Sequence, residues 1–222
     1  MKVFSITMTH PKFHEPYSPA IMETEVPKRF VDIVNDIADE VLSDEKKSQQ
    51  WDFSHRLVGK VNKEIQIPVS DKENREFLFQ TMKQGCLDYL KYNLDKQRAH
   101  VYTHIVGRNE PTIENIHLTQ SWVVSQYAGD FNPIHHHTAD FSAAIYLKVP
   151  DDMIDDMDDH APAKGMIEFA FGDTQNFRND SVKFKPEVGK FLVFPSWLKH
   201  FVYPFTCKGE RRMMSFNATI RK

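Results

Sequence analysis

The sequence predicts a mainly β protein with flanking helices, in which an all-β second half follows a helical N-terminal part. Beyond Arg98, short runs rich in Val, Phe, Tyr and Ile are separated by turn residues at intervals of about 8–15 residues, the pattern of a sandwich or barrel. Before Arg98, two stretches carry apolar residues at helical spacing. We therefore expect one domain over residues 1–222, with a helical flank over 1–98 and a β core over 99–222.

Each element of the flank has its own signal. Apolar residues at i, i+3 and i+4 predict helices from Pro27 to about Ser43 and from about Asp71 to Leu94. The polar segment 43–55 between them predicts a loop, and residues 59–70 predict a short edge strand that a proline ends. Residues 1–26 are interrupted by prolines and predict a strand at most, then extended chain. We expect the two helices to cover one outer face of a sheet.

Composition excludes several classes of function. The 28 Lys and Arg against 31 Asp and Glu give a net charge of −3, which leaves no basic excess for nucleic acid. Cys86 and Cys207 lie far apart and predict two buried thiols in a reducing compartment. Neither a signal peptide nor a membrane-length apolar run is visible. We expect a cytoplasmic protein, in the host cytoplasm if phage-encoded, without a membrane partner; a homodimer is the first assembly to test for.

The segment DDMIDDMDDH, residues 151–160, is strongly acidic. It lacks the Gly and the terminal Glu of an EF-hand loop. The simplest interpretation is a solvated loop, and a calcium site or a substrate-docking loop is the alternative.

Three adjacent histidines open the strand pattern FNPIHHHTADFSAAIYL. Successive side chains of a strand point to opposite faces, so His135 and His137 share one face while His136 takes the other. Two imidazoles on one face make half of a metal site, and His200, at the start of a later predicted strand, could complete it. Asp140 would face away from both in a regular strand, so three histidines are favoured, although a bulge could bring Asp140 in instead.

Two arginines, Arg211 and Arg212, open the last predicted strand, ERRMMSFNATI. Alternation puts Arg211 on the face of Met213 and Arg212 on the opposite face. An arginine pointing into a barrel would be a costly unpaired charge unless an anion met it, and its planar fork suits a carboxylate. A buried arginine therefore predicts an acidic ligand. In the alternative, both arginines face solvent on an edge strand.

The second half resembles the 2-oxoglutarate and Fe(II)-dependent oxygenase superfamily, and more closely a family of its members found in bacteria and tailed phages. The resemblance covers about residues 119–220 and rests on four stretches. They are SWVVSQYAGDFNPIHHH with FSAAIYLKVP, GMIEF, KPEVGKFLVFPSWLKHFVYPF and RRMMSFN. It implies a double-stranded β-helix, or jelly-roll, core.

The resemblance also implies a site. His135, His137 and His200 would hold Fe(II), and Arg211 would pair with the distal carboxylate of 2-oxoglutarate. Tyr127 stands where related hydroxylases keep a tyrosine that contacts the cosubstrate. Asn132, Ser142 and Asn217 are further candidates from their predicted facing. The implied reaction is hydroxylation of a C–H bond on an unidentified substrate, with release of succinate and CO₂, and a peptide is one candidate substrate class.

Two positions depart from the usual pattern of the superfamily. His137 stands where Asp or Glu is the common second ligand, and Met213 replaces a small polar residue that often follows the arginine. Two other classes of function therefore stay open: a non-catalytic metal-binding barrel, such as a phage accessory module, and a cupin-like three-histidine metalloenzyme without 2-oxoglutarate. The arginine discriminates the oxygenase from the cupin-like enzyme, because a cupin without the cosubstrate needs no cation facing the barrel.

Overall fold

The computed structural model describes residues 19–54, 63–153, 163–176 and 179–222. Predictions for residues 1–18 and for most of the acidic segment, 154–160, lie outside these ranges. Within them, ten strands form two antiparallel sheets. The strands are β1 (Met22–Glu25), β2 (Lys63–Ile65), β3 (Ile116–Gln126), β4 (Asn132–His135), β5 (Phe141–Lys148), β6 (Ile167–Ala170), β7 (Ser181–Phe184), β8 (Lys190–Pro195), β9 (Lys199–Val202) and β10 (Arg211–Ile220).

The larger sheet has six strands in the order β1-β8-β5-β10-β3-β2, and the smaller has four in the order β4-β9-β6-β7. The eight strands from β3 to β10 are divided four and four between the sheets, which is the arrangement of a jelly-roll. The predicted double-stranded β-helix is confirmed. The N-terminal flank adds β1 and β2 as the two edge strands of the larger sheet, so β2 is the predicted edge strand.

Both predicted long helices are present, as α1 (Lys28–Ser43) and α3 (Lys72–Asp95). Asp71 begins α3 by accepting a hydrogen bond from the backbone N–H of Asn74 at 2.7 Å, an N-cap contact. No helix in the described ranges combines the length and the apolar character needed to cross a membrane.

Two shorter helices correct the sequence prediction. The predicted loop at 43–55 contains α2 (Glu45–Gln50), because the Asp44 carboxylate caps it by accepting from the backbone N–H groups of Lys46 and Lys47. Residues 100–106, HVYTHIV, lie at the start of the predicted β core, where a strand is expected from their composition, but they form α4 (His100–Ile105). There, Tyr102 is buried and Ile105 packs against the same core, an i, i+3 pair that overrides the β-branched composition.

Strand β5 shows how the apolar side chains are divided, since all but its last residue are buried. Ala143, Ile145 and Leu147 point outward into a core shared with the helices, and the intervening Ala144 and Tyr146 point inward, between the two sheets. A sheet covered on both faces needs apolar residues at every position of its central strands. The helices thus hold the outer face and leave the inner face for a site.

Helix α3 lies close to β8 at Gly85, which is buried against the ring of Phe191. A Cβ at residue 85 would overlap that ring. We expect Gly85→Ala to lower the free energy of unfolding by about 1 kcal/mol, because overpacking costs roughly 1–3 kcal/mol while the gain in helix propensity returns roughly 1 kcal/mol. Urea unfolding measures the change.

Gln84→Ala is the matched control for this substitution, since Gln84 is exposed on the same turn of the helix. It should change the free energy of unfolding by less than about 0.5 kcal/mol. A Gly85→Ala variant more stable than the wild type would contradict the close packing of α3 on β8.

Candidate functional site

The structure brings the three predicted histidines together at the smaller sheet. Strand β4 pairs with β9 so that His135 lies opposite His200. His137 follows β4, and its backbone N–H donates to the carbonyl of Ser196 at 2.8 Å. The ring centroids of His135 and His200 lie 4.3 Å apart, and the ring of His137 lies 5.2 Å from each. The middle histidine, His136, is exposed, as strand alternation predicts.

Hydrogen bonds to backbone carbonyls orient two of these rings. The Nδ1 atom of His135 lies 2.7 Å from the carbonyl of Pro133, and that of His200 lies 2.9 Å from the carbonyl of Leu198. A carbonyl only accepts, so Nδ1 carries the proton in both rings and Nε2 keeps its lone pair. Second-shell contacts of this kind fix the orientation of metal ligands. One ligand atom from each histidine lies within 4.8 Å of the other two, so the group could hold a metal ion.

Burial keeps the three imidazoles neutral. It lowers the pKa of His200 to about 3 and that of His137 to about 4, and the neighbouring imidazoles add to both shifts. The pKa of His135 is also lowered, again chiefly by burial. Neutral imidazole is the form that binds metals, so the cluster needs no deprotonation at neutral pH.

Asp140 is turned away from this cluster. Its carboxylate accepts a hydrogen bond of 2.8 Å from the backbone N–H of Ile220, at the end of β10. Among the described residues, the group with metal-site geometry contains histidines only. The alternative in which Asp140 replaces His137 therefore has no support in the structure.

The two arginines of β10 are both buried but lie in opposite environments. Arg212 points outward and donates to Glu210 at 2.7 and 2.9 Å, to Asp39 at 2.7 Å and to the side chain of Asn35 at 3.1 Å. These contacts tie β10 to α1. The solvent-facing alternative is wrong for both residues, because neither side chain is exposed. Arg212 forms ion pairs with the carboxylates of Asp39 and Glu210.

Arg211 points inward, and no carboxylate among the described residues pairs with it. Its guanidinium donates to the Gln126 side chain, contacts the Met213 sulfur and lies 5.2 Å from the ring centre of Tyr146. Its Nε atom and the hydroxyl of Tyr146 are both buried without a hydrogen-bond partner. Leaving these two donors without partners, one of them within the buried cation itself, costs stability. An anionic ligand would accept hydrogen bonds from both.

A cavity of about 290 Å³ lies between the sheets and is lined by all three histidines. Asn132, Ser142 and Asn217, three of the predicted cosubstrate residues, line it as well. The Ser142 hydroxyl donates to Asn217 Oδ1 at 2.7 Å, and it lies 2.9 Å from the Ser196 hydroxyl. Asn132 Oδ1 accepts from the Gln126 amide at 3.1 Å. Ser142 and Asn217 therefore give the cavity a polar wall on the larger sheet, while the smaller sheet carries Asn132 together with the histidines.

Tyr127 is not brought to this cavity. Its side chain is 41% exposed. Partial burial, followed by the negative charge of Glu210 on the outer side of β10, raises the pKa of its hydroxyl. Tyr127 follows the end of β3, where the side-chain alternation carries residue 126 inward and residue 127 outward.

Sequence reasoning missed three residues of the site, two that line the cavity and one that lies beside Arg211. Gln126 and Tyr146 contact Arg211, and strand alternation from Arg211 and Ser142 was the signal that could have found them. Glu64 on β2 also lines the cavity, with 1% of its surface exposed and both carboxyl oxygens without a hydrogen-bond partner. An acidic residue in a short edge strand carries no sequence signal of burial.

The model of a protein family described as "Putative 2OG-Fe(II) oxygenase" matches residues 120–217, a little under half of the chain. This part of the chain is similar to 2OG-Fe(II) oxygenases. The match includes the three histidines and both arginines, so the candidate site lies within the matched residues. No curated protein sequence matches the chain at a significant level.

Solved structures share the fold of this chain, including its N-terminal flank. A prolyl-4-hydroxylase from Pseudomonas putida is 14% identical with a TM-score of 0.52, over 92% of this chain and 94% of that one. A Trichoplax adhaerens prolyl hydroxylase is 15% identical with a TM-score of 0.51, over 90% and 83%. The carbocyclase SnoK of nogalamycin biosynthesis is 11% identical with a TM-score of 0.53, over 91% and 82%.

Glu64 predicts a pH dependence of stability. Burial, with the nearby negative charge of Asp52, raises its pKa from 4.5 to about 8. Between these values the folded protein keeps a proton that the unfolded chain has lost, so the free energy of unfolding falls as the pH rises from about 5 to about 8, by roughly 1.4 kcal/mol per pH unit at most. Urea unfolding of metal-free wild type and Glu64→Gln should show the variant gaining relative stability over this window.

Glu25→Gln is the control, since Glu25 is exposed on β1. Its stability relative to the wild type should not vary with pH over the same window. A wild type and a Glu64→Gln variant with parallel pH profiles would mean that Glu64 is ionised and solvated in the folded state.

Proposed function

We propose that this protein is an Fe(II)- and 2-oxoglutarate-dependent oxygenase that hydroxylates a C–H bond of its substrate. The observation that carries the proposal is the placement of two complementary groups between the sheets. Three neutral imidazoles converge at the cavity, and behind the Gln126 and Met213 side chains lies a buried Arg211 with no carboxylate partner in the described structure. A metal site and a buried cation without a carboxylate partner, both between the sheets, suit a ligand with an acid at each end.

His135, His137 and His200 would hold the metal ion. The donor set fits Fe(II), for which imidazole is a suitable ligand, and three ligands leave positions open for other molecules. Because all three ligands are neutral, they leave the two positive charges of the ion uncompensated. We infer that the dianionic cosubstrate supplies this compensation, in place of the carboxylate ligand that is common in the superfamily.

Arg211 would bind the distal carboxylate of 2-oxoglutarate, with its Nε atom and the Tyr146 hydroxyl as the hydrogen-bond donors that lack partners. Gln126 and Met213 now occupy the other nitrogens of the guanidinium and also line the cavity. The cosubstrate would displace them. Ser142 and Asn217 would line it from the larger sheet and Asn132 from the smaller. Tyr127 belongs to the proposal only if its side chain turns inward.

When bound, Fe(II) with 2-oxoglutarate supplies the oxidation of the substrate: O₂, 2-oxoglutarate and R–H become succinate, CO₂ and R–OH. The chain's own residues bind and orient the parts. Phe169 and Phe194 pack on the ring of His200, with centroids 5.7 and 4.9 Å away, and keep water from one side of the cluster. The backbone carbonyls of Pro133 and Leu198 hold the imidazole protons at Nδ1.

A peptidyl substrate stays a proposal. Two of the fold relatives are named prolyl hydroxylases and the third is a carbocyclase, so the fold does not select a substrate. There are two alternatives, a metal-binding barrel without activity and a cupin-like enzyme without 2-oxoglutarate. Neither explains why Arg211 is buried without a carboxylate partner. Its burial without a carboxylate partner favours the oxygenase over both.

The histidine cluster should bind Fe(II) and permit a cosubstrate complex. Under anaerobic conditions, wild type with Fe(II) should develop a weak visible charge-transfer band when 2-oxoglutarate is added. It should also unfold at higher temperature with Fe(II), since ligand at about 100 times its Kd adds about 2.7 kcal/mol. His200→Ala should lose both effects because it removes one of three ligands.

His136→Ala is the matched control, since His136 is adjacent in sequence but exposed. It should keep the band and the thermal shift. A wild type without the band, or a band that survives His200→Ala, would rule out the proposed complex.

The two arginines should separate cosubstrate binding from stability. Arg211→Ala should weaken 2-oxoglutarate binding on the order of 100-fold, because truncating one partner of a buried charge pair costs roughly 2–5 kcal/mol. Arg212→Ala should lower the free energy of unfolding by roughly 2–4 kcal/mol, since it leaves Glu210 without its main cation, and should change 2-oxoglutarate binding little. Titration of the charge-transfer band and urea unfolding measure the two effects, and the reverse result would exchange the roles.

A further inference from the structure

We propose that the end of the cavity formed by Phe53, Glu64 and Trp122 is a subsite for a cationic group of the substrate, a protonated amine or a guanidinium. The inference rests on the proposed function in calling the occupant a substrate. The side chains at this end of the cavity support the subsite independently of that function.

Strand pairing places the subsite next to the histidine cluster. Glu64 on β2 is paired with Val124 on β3, and Val124 with Met213 on β10, so Glu64 lies on the inner face at the level of Met213. Trp122 is the next inward residue of β3. Its ring centroid lies 5.5 Å from that of Phe53 and 5.9 Å from that of His137. The Trp122 ring therefore connects the acid end of the cavity to the candidate metal ligands.

Glu64 lacks the partner that a buried acid needs. Only 1% of its surface is exposed, and neither carboxyl oxygen has a hydrogen-bond partner. Burying such a group without a partner costs stability, so an unsatisfied carboxyl in the lining of a cavity points to a ligand that completes it. Among the described residues that line the cavity, Glu64 is the one carboxyl group, and none is Lys or Arg.

Three features favour a cation over a neutral N–H donor. The aromatic rings of Phe53 and Trp122 flank the acid, and ring faces attract cations. The charge of Asp52 acts on Glu64 and adds negative potential at this end. The described lining contributes no fixed positive charge that would repel a cation. A substrate with a basic side chain or amine would place its cation here while another part of it lies near the histidines.

Butylammonium, n-butanol and butyrate are probes that share a chain and differ in charge. Each is titrated at about pH 8 into metal-free protein, and the indole N–H signal of Trp122 is followed by NMR after assignment with Trp122→Phe. We expect a saturable shift with butylammonium and none with butanol or butyrate. Glu64→Gln should weaken butylammonium binding at least about tenfold, since it replaces a charge-assisted contact with a neutral one.

Glu168→Gln is the matched control, because Glu168 is a buried glutamate outside the cavity and is held by Tyr203 and Lys183. It should bind butylammonium as the wild type does. Thermal unfolding of each variant checks its folding, and Glu64→Leu gives a second variant that lacks the carboxyl. Equal affinity in the wild type and Glu64→Gln, butanol binding as tightly as butylammonium, or no saturable shift in the wild type would each overturn the subsite.

The same proteins, loaded anaerobically with Fe(II) and 2-oxoglutarate, separate this inference from the proposed function. A wild type without the charge-transfer band would contradict the oxygenase proposal, and the butylammonium titration would still decide the cation subsite. A Glu64→Gln variant that keeps the band and loses butylammonium supports both. A Glu64→Gln variant that loses the band would assign Glu64 to the cosubstrate and overturn the cation subsite.

Discussion

The pairing of β4 with β9 is the contact on which the candidate site depends. It sets His135 opposite His200, two residues far apart in the chain, and it leaves His137 one step beyond the strand end, where the backbone of Ser196 holds it. Antiparallel neighbours on one face of a sheet have side chains close enough to share a ligand. A slip of β4 by one residue would turn His135 to the other face while His200, on β9, kept its own, and the cluster would be lost.

The larger sheet supports this pairing by dividing its two faces between stability and function. Its outer face is covered by α1 and α3, and Arg212 joins β10 to α1 through Asp39. Its inner face carries Arg211 and the polar wall of the cavity. Neighbouring residues of one strand therefore meet opposite requirements. The guanidinium of Arg212 is paired with carboxylates of the protein, whereas that of Arg211 has no carboxylate partner among the described residues.

The inner face of the larger sheet carries buried polar groups that lower the stability of the fold and that a ligand could satisfy. Arg211 Nε, the Tyr146 hydroxyl and both oxygens of Glu64 are buried without hydrogen-bond partners. Such groups are rare in folded proteins, and each costs roughly 1–3 kcal/mol or more when charged. They lie on the inner face of one sheet, with Glu64 and Arg211 at different positions along it. This placement fits a cavity that takes an anionic cosubstrate in one part and a cationic substrate group in another.

The sequence by itself determined the fold class, the two long helices and the faces of the strand residues, because periods of 3.6 and 2 are local properties of the chain. It also predicted that His135, His137 and His200 converge, and they do; their role as metal ligands stays a prediction. Tertiary structure alone decided the helical state of residues 100–105, where burial of Tyr102 outweighs strand propensity. It likewise decided that Asp140 bonds to Ile220, that Tyr127 faces out, and that Glu64 is buried. Each of these outcomes depends on which distant atoms surround a side chain, and periodicity in the sequence carries no information about that.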